Sequence, residues 1–182
     1  MPPIRKGDGT PVEPKGVSQI RTGDGRILFD GPAIPDSAIY WEGELEDDWE
    51  VSYTEGNHTA EKRDESLFMQ VGDESTSAYV TFATISTEDL NDVDNVEVRS
   101  SGNSQDDAAE FYISVEPEDT EQRIQDFDTA ELVRENETWD EETDTLDVSG
   151  LSGDYYVGVG LRDGSSNSSR DIEVDVERVE LI

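Results

Sequence analysis

"DYYVGVGLRD" at residues 154–163 and "DIEVDVERVELI" at residues 171–182 are the stretches whose reading decides the fold. In the first, Tyr155, Val157, Val159 and Leu161 take every second position. In the second, Ile172, Val174 and Val176 alternate with polar residues, and the apolar phase then slips to Val179 and Leu181. Successive side chains of a strand point to opposite faces, so a period of two gives one dry face and one wet face. A phase slip inside such a run is the mark of a β-bulge, one extra residue that re-aims the side chains after it.

The same period recurs along the chain. "SLFMQV" carries Leu67, Met69 and Val71, "AYVTFAT" carries Val80 and Phe82, "EFYISV" carries Phe111, Ile113 and Val115, and "TLDVS" carries Leu146 and Val148. With "YWEGEL", "WEVSY", "VDNVEVR" and "AELVR" this predicts nine or ten short strands separated by polar turns. That pattern is an all-β chain, an antiparallel β-sandwich or jelly roll. Helix signals are scarce, and "STEDLNDV" at 86–93 reads as one helical turn capped by Ser86 or Thr87.

The sequence has 182 residues, 46 acidic against 13 basic, for a formal net charge of −33. Apolar residues in clean alternation oppose the disorder that such charge would otherwise suggest. The composition predicts a folded domain whose carboxylates keep it hydrated in concentrated salt, where repulsion is screened within about 3 Å at 1 M. Nucleic acid is excluded as a partner, because phosphate binding needs a basic footprint. There is no cysteine, which removes disulfides, thiol catalysis and zinc-thiolate sites. No long apolar run is present, so neither a signal peptide nor membrane insertion is expected.

Charge also divides the chain. Residues 1–28 carry a net +2 and the remainder −35. The basic segment holds a doubled phrase, "RKGDGTPV" at 5–12 and "RTGDGRIL" at 21–28. Each Gly-Asp-Gly can supply the positive-φ positions of a tight hairpin. Two small hairpins cannot bury a core of their own, so they must pack on the body or on another chain. The reading is a docking arm over 1–30, a linker over 31–37 and an acidic sandwich over 38–182. Arg5, Lys6, Gly7, Asp8, Gly9, Arg21, Gly23, Asp24, Gly25 and Arg26 are the candidate docking residues.

Sites of chemistry are few. His58, the sole histidine, lies in "EGNHTAEK", a polar loop without the partners of a catalytic triad. The acidic residues single out no pair suited to glycoside hydrolysis, so no enzyme is expected. Flat rings can stack on sugars, which makes Trp139, Trp41, Trp49 and Tyr156 candidate glycan-binding residues, each with core packing as the alternative. Trp139 stands out because its stretch, "ENETWDEETD", shows no core periodicity. Asp92, Asp94, Asp106 and Asp107 are candidate ligands for a structural Ca2+ or a monovalent cation. Asn57, Asn136 and Asn167 open Asn-x-Ser/Thr sequons.

"GVSQIRTGDGRILFDG" followed by "PAIPDS", then "ISTEDLNDVDNVEV" and "WDEETDTLDVSGLSGDYYVGVGLRDG", resembles virion proteins of haloarchaeal tailed viruses and proviruses. Their bodies are carbohydrate-binding-like or concanavalin-A-like jelly rolls. The resemblance implies a structural part of a virus particle: tail, baseplate, fibre, head decoration or turret. On that reading the arm docks to neighbouring virion subunits in a cyclic homo-oligomer, assembled in the host cytoplasm. The alternative is an adhesin module that binds glycans of a host surface.

Overall fold

The computed structural model describes residues 19–21, 27–30, 34–72, 78–103, 109–117, 130–135, 137–163 and 172–182. The chain divides into two units, Met1–Ala38 and Ile39–Ile182. In the first, β1 (Gln19–Arg21) pairs antiparallel with β2 (Ile27–Asp30), with Gln19 opposite Asp30 and Arg21 opposite Ile27. The second "RTGDGRIL" thus contributes Arg21 to β1 and Ile27 and Leu28 to β2. Arg21 belongs to β1, whereas its Gly23, Asp24, Gly25 and Arg26, and all of the first copy from Arg5 to Gly9, lie outside the described residues.

The larger unit is an antiparallel β-sandwich. One sheet has the order β11-β10-β13-β7-β4: Ala130–Glu135, Ala109–Pro117, Asp154–Asp163, Ala78–Thr84 and Trp49–Glu55. The short β8 (Glu88–Asp89) adds to β13. The other sheet has the order β12-β9-β14-β6-β5: Thr138–Asp147, Asn95–Asn103, Ile172–Leu181, Leu67–Val71 and His58–Lys62. There β3 (Ala38–Trp41) pairs with β14. From β6 onward the chain crosses repeatedly between sheets, the connectivity of a jelly roll. Among the described residues no helix is long and apolar enough to cross a membrane.

Alternation builds the core. Val157, Val159 and Leu161 of β13, Ile172, Val174 and Val176 of β14, and Phe111, Ile113 and Val115 of β10 are all buried between the sheets. The slip read in the last strand is real: pairing of β14 with β9 shifts between Val176 and Arg178, and Val179 returns to the core. Two local expectations fail. Residues 86–93 form no helical turn; Glu88 and Asp89 pair with Tyr155 and Asp154, since an unpaired edge of β13 offers them ladder hydrogen bonds. Among the described residues, the helical turn that does form is a 3-10 turn over Glu46–Asp48. His58 opens strand β5 opposite Val71 rather than sitting in a loop. It is exposed, with Nδ1 2.9 Å from Gly56 O.

Candidate functional site

The three tryptophans are structural. Trp49 is fully buried, donates from Nε1 to Ile39 O at 3.0 Å and meets Tyr40 edge-on at 6.2 Å. Trp139, a candidate sugar-binding residue with core packing as the alternative, takes the alternative. It is 6% exposed, stacks on Phe111 at 6.0 Å and donates to Ser100 Oγ at 3.0 Å. Its indole fills the space over Gly102, where a Cβ would lie 2.6 Å from Cζ2. The polar neighbours that disguised it come from a register shift between Trp139 and Glu142, which turns the intervening acids outward. Trp41 is buried beneath Arg178, whose Cζ lies 4.0 Å from the ring centre. Tyr156 is half-buried on the outer face of the first sheet, opposite Glu116.

On that outer face, register brings Tyr53, Thr81, Gly160 and Tyr112 into one row and Glu55, Tyr79, Arg162 and Glu110 into the next. Tyr53 meets Tyr79 edge-on at 6.3 Å, and Arg162 lies over Tyr79 at 5.4 Å. Arg162 also pairs with Glu110 at 3.4 Å. Tyr112 donates to Glu110, and burial together with that carboxylate pushes its phenol up to about 12. Thr81, Ala83 and Ser114 at the centre are buried. These contacts tie the side chains of the two rows into one network.

Among the described residues, a concave feature lies on the other sheet. A groove of about 440 Å³ lies over β9 and β14, lined by Glu42, Glu65, Ser66, Arg99, Ser101, Glu141, Asp175 and Glu177. Arg99 and Ser101 occupy alternate outward positions of β9, and Asp175 faces Ser101 across the ladder. The bulge in β14 inserts Glu177 beside Asp175. Glu141 enters from the irregular stretch of β12 with φ 48°. Glu42 follows β3 with φ 45°, and its N–H donates to Glu177 O at 2.7 Å. Gly43 completes that wall: at φ +83° its missing Cβ would stand 1.9 Å from Asp64 O, so only glycine lets this turn close against the one carrying Glu65.

An ion network orders the lining. Arg99 reaches Glu141 Oε2 at 2.5 Å and Glu177 Oε2 at 3.2 Å. Arg178 donates from Nε to Glu42 Oε1 at 2.9 Å. Ser66 Oγ donates to Asp175 Oδ1 at 2.6 Å, and Arg63, lying over the Phe68 ring at 3.3 Å, adds a contact to the same oxygen at 3.3 Å. Burial raises the Glu177 carboxyl above its ordinary range; Arg99 and Arg178 oppose this, while Glu141 and Glu42 add to it. The site therefore combines fixed acceptors, planar arginine donors and hydroxyls around a space of ligand size.

None of the groove residues was singled out in the sequence. The only signal was the phase slip at 176–179, which locates the bulge but not the strands that face it. The other candidates disperse. Asp92, at φ 63°, and Asp94 lie in the turn before β9, while Asp106 and Asp107 fall outside the described residues. Among the described residues no group of three or more His, Asp and Glu is placed to hold a metal ion. Asn57 is exposed in the turn between β4 and β5; Asn136 and Asn167 fall outside the described residues.

No protein-family model and no curated protein sequence matches the chain. Solved structures do resemble the chain. One is the glycoside hydrolase domain of Endo-D from Streptococcus pneumoniae, with TM-score 0.51 and 16% identity, over 72% of this chain and 21% of that one. Others are a family 29 carbohydrate-binding module from Piromyces equi (TM-score 0.45, 12% identity, 79% of this chain and 87% of that one) and a mannan-recognising carbohydrate-binding module (TM-score 0.47, 11% identity, 79% and 94%). The chain spans only 21% of the length of the Endo-D chain. The class the strand order defines is the antiparallel β-sandwich.

Proposed function

We propose that the chain is a non-catalytic glycan-binding module and that the groove over β9 and β14 is its binding site. The observation that carries this reading is the groove itself, about 440 Å³ in volume and lined by paired carboxylates, Arg99, Ser66 and Ser101. Small-ligand sites commonly run from about 300 to 1,000 Å³. Sugar hydroxyls both donate and accept, and carboxylates and guanidinium groups held rigid by one another offer matched acceptors and donors. Binding without cleavage is supported by the same pairing: Glu42, Glu141, Asp175 and Glu177 are engaged by arginines rather than set apart as acid and nucleophile. The test is a panel of oligosaccharides titrated calorimetrically into the wild-type chain and Ser101→Trp, which plugs the groove from an outward position. Binding to the wild type that is lost in the variant is expected; binding that survives the plug refutes the site.

A structural role in a virus particle is the second reading, favoured by the charge division between residues 1–28 and the rest. A segment without excess negative charge can lie against an acidic neighbour without repulsion. On this reading the protein is part of a virion, and deleting residues 1–30 turns an oligomer into a folded monomer by light scattering. An unchanged oligomeric state would count against it.

A further inference from the structure

We propose that Asn57 is an N-glycosylation site, the acceptor of an oligosaccharide from a polyprenyl-phosphate-linked donor; the proposal does not depend on the groove. Asn57, His58 and Thr59 form one of three Asn-x-Ser/Thr sequons, which are opened by three of the six asparagines. With 30 serines and threonines among 182 residues, chance alone would give about one. A glycan is bulky, so its acceptor must lie on the surface with an amide that no other group holds. Asn57 meets both conditions. It is exposed in the turn between β4 and β5, and its side chain makes no hydrogen bond among the described residues. Asn91 and Asn103, which open no sequon, have their side-chain amides engaged, by Asp89 at 2.7 Å and by Thr138 at 3.2 Å.

Local structure also brings the two sequon side chains together. Gly56, at φ 69°, turns the chain out of β4. Asn57 O then accepts from Gly72 N at 3.0 Å, which extends the pairing of β5 with β6 back by one residue. Ala60 packs on the core opposite Met69, so Thr59 faces the other way, and alternation carries Asn57 to the same side as Thr59. The Thr59 hydroxyl, also without a hydrogen bond among the described residues, is therefore within reach of the same enzyme pocket as the Asn57 amide. The His58 ring between them is held by Gly56 O at 2.9 Å and claims neither side chain. β5 ends its sheet, so among the described residues no further strand pairs with its outer edge, and a sugar has room there. In the transfer, Asn57 Nδ2 bonds to the anomeric carbon of the donor sugar and the bond from that carbon to the phosphate oxygen breaks. The polyprenyl phosphate leaves with the electron pair, and one amide proton passes to a base of the transferase.

The test is mass spectrometry of the full chain made in its own cells, as wild type and as variants. Cleavage after lysine and arginine separates the three sequons into peptides 27–62, 135–162 and 163–170. Peptide 27–62 of the wild type is expected to be heavier by whole sugar residues, with fragmentation placing the added mass on Asn57. Asn57→Gln and Thr59→Val are expected to lose that mass, whereas Thr59→Ser, which keeps the hydroxyl, is expected to retain it. Circular dichroism of the variants in high salt is expected to match the wild type, because neither side chain belongs to the core. An unmodified peptide 27–62 in the wild type overturns the proposal, as does sugar found on the other two peptides alone. Sugar that persists in Thr59→Val also overturns it, since the hydroxyl would then play no part.

Discussion

Trp139→Ala separates a core role from a surface role for the one tryptophan whose sequence context pointed outward. The side chain is 6% exposed and stacked on Phe111, so truncation opens a cavity between the sheets and should cost about 3–5 kcal/mol. That is a large share of the roughly 5–15 kcal/mol that stabilises an ordinary domain. Trp139→Phe keeps a ring against Phe111 but strips the partner from buried Ser100 Oγ, for about 1–3 kcal/mol. Gly102→Ala forces a Cβ to within 2.6 Å of the indole and 2.8 Å of Glu173 O, an overpacking cost of about 1–3 kcal/mol. Phenylalanine does not reach as far as the indole, so Gly102→Ala should cost less in the Trp139→Phe background. The contact with Glu173 O remains, which makes the relief partial. The coupling expected for such neighbours is about 0.5–3 kcal/mol. Urea denaturation at fixed high salt, followed by tryptophan fluorescence and circular dichroism, measures all four corners of the cycle. Full stability in Trp139→Ala together with lost glycan binding would refute the packing argument and restore an exposed platform.

Two further outcomes are expected. The folded-state pKa of Glu177 is raised, so the carboxyl favours folding while protonated and that contribution is lost as pH rises through the folded value. Glu177→Gln should therefore raise the melting temperature at pH 7 and confer no gain at low pH; a lower melting temperature at pH 7 would show that the pair with Arg99 outweighs burial. Dilution of salt from about 1 M to 0.1 M lengthens screening from about 3 to 10 Å, so the net charge of −33 should depress the melting temperature. A melting temperature independent of salt would remove the argument for a brine-adapted surface.

The sequence by itself determined the sandwich. Val157, Val159 and Leu161, or Ile172, Val174 and Val176, can be dry only in strands, and a slip of phase can be absorbed only by a bulge. Those are local constraints, written in side-chain period. Trp139 shows where local reading stops: its neighbours Asp140, Glu141 and Glu142 are polar, yet a register shift against β9 sends the indole inward and the acids outward. The groove was equally illegible. Glu42, Glu65, Arg99, Glu141 and Glu177 are ordinary members of a chain with 46 acidic residues. Only tertiary structure brings them together, through a bulge in β14, a shift in β12 and a glycine turn closed against Asp64. A strand's period records which face is buried, whereas a site is set by which strands lie side by side, and that choice depends on contacts between residues far apart in the chain.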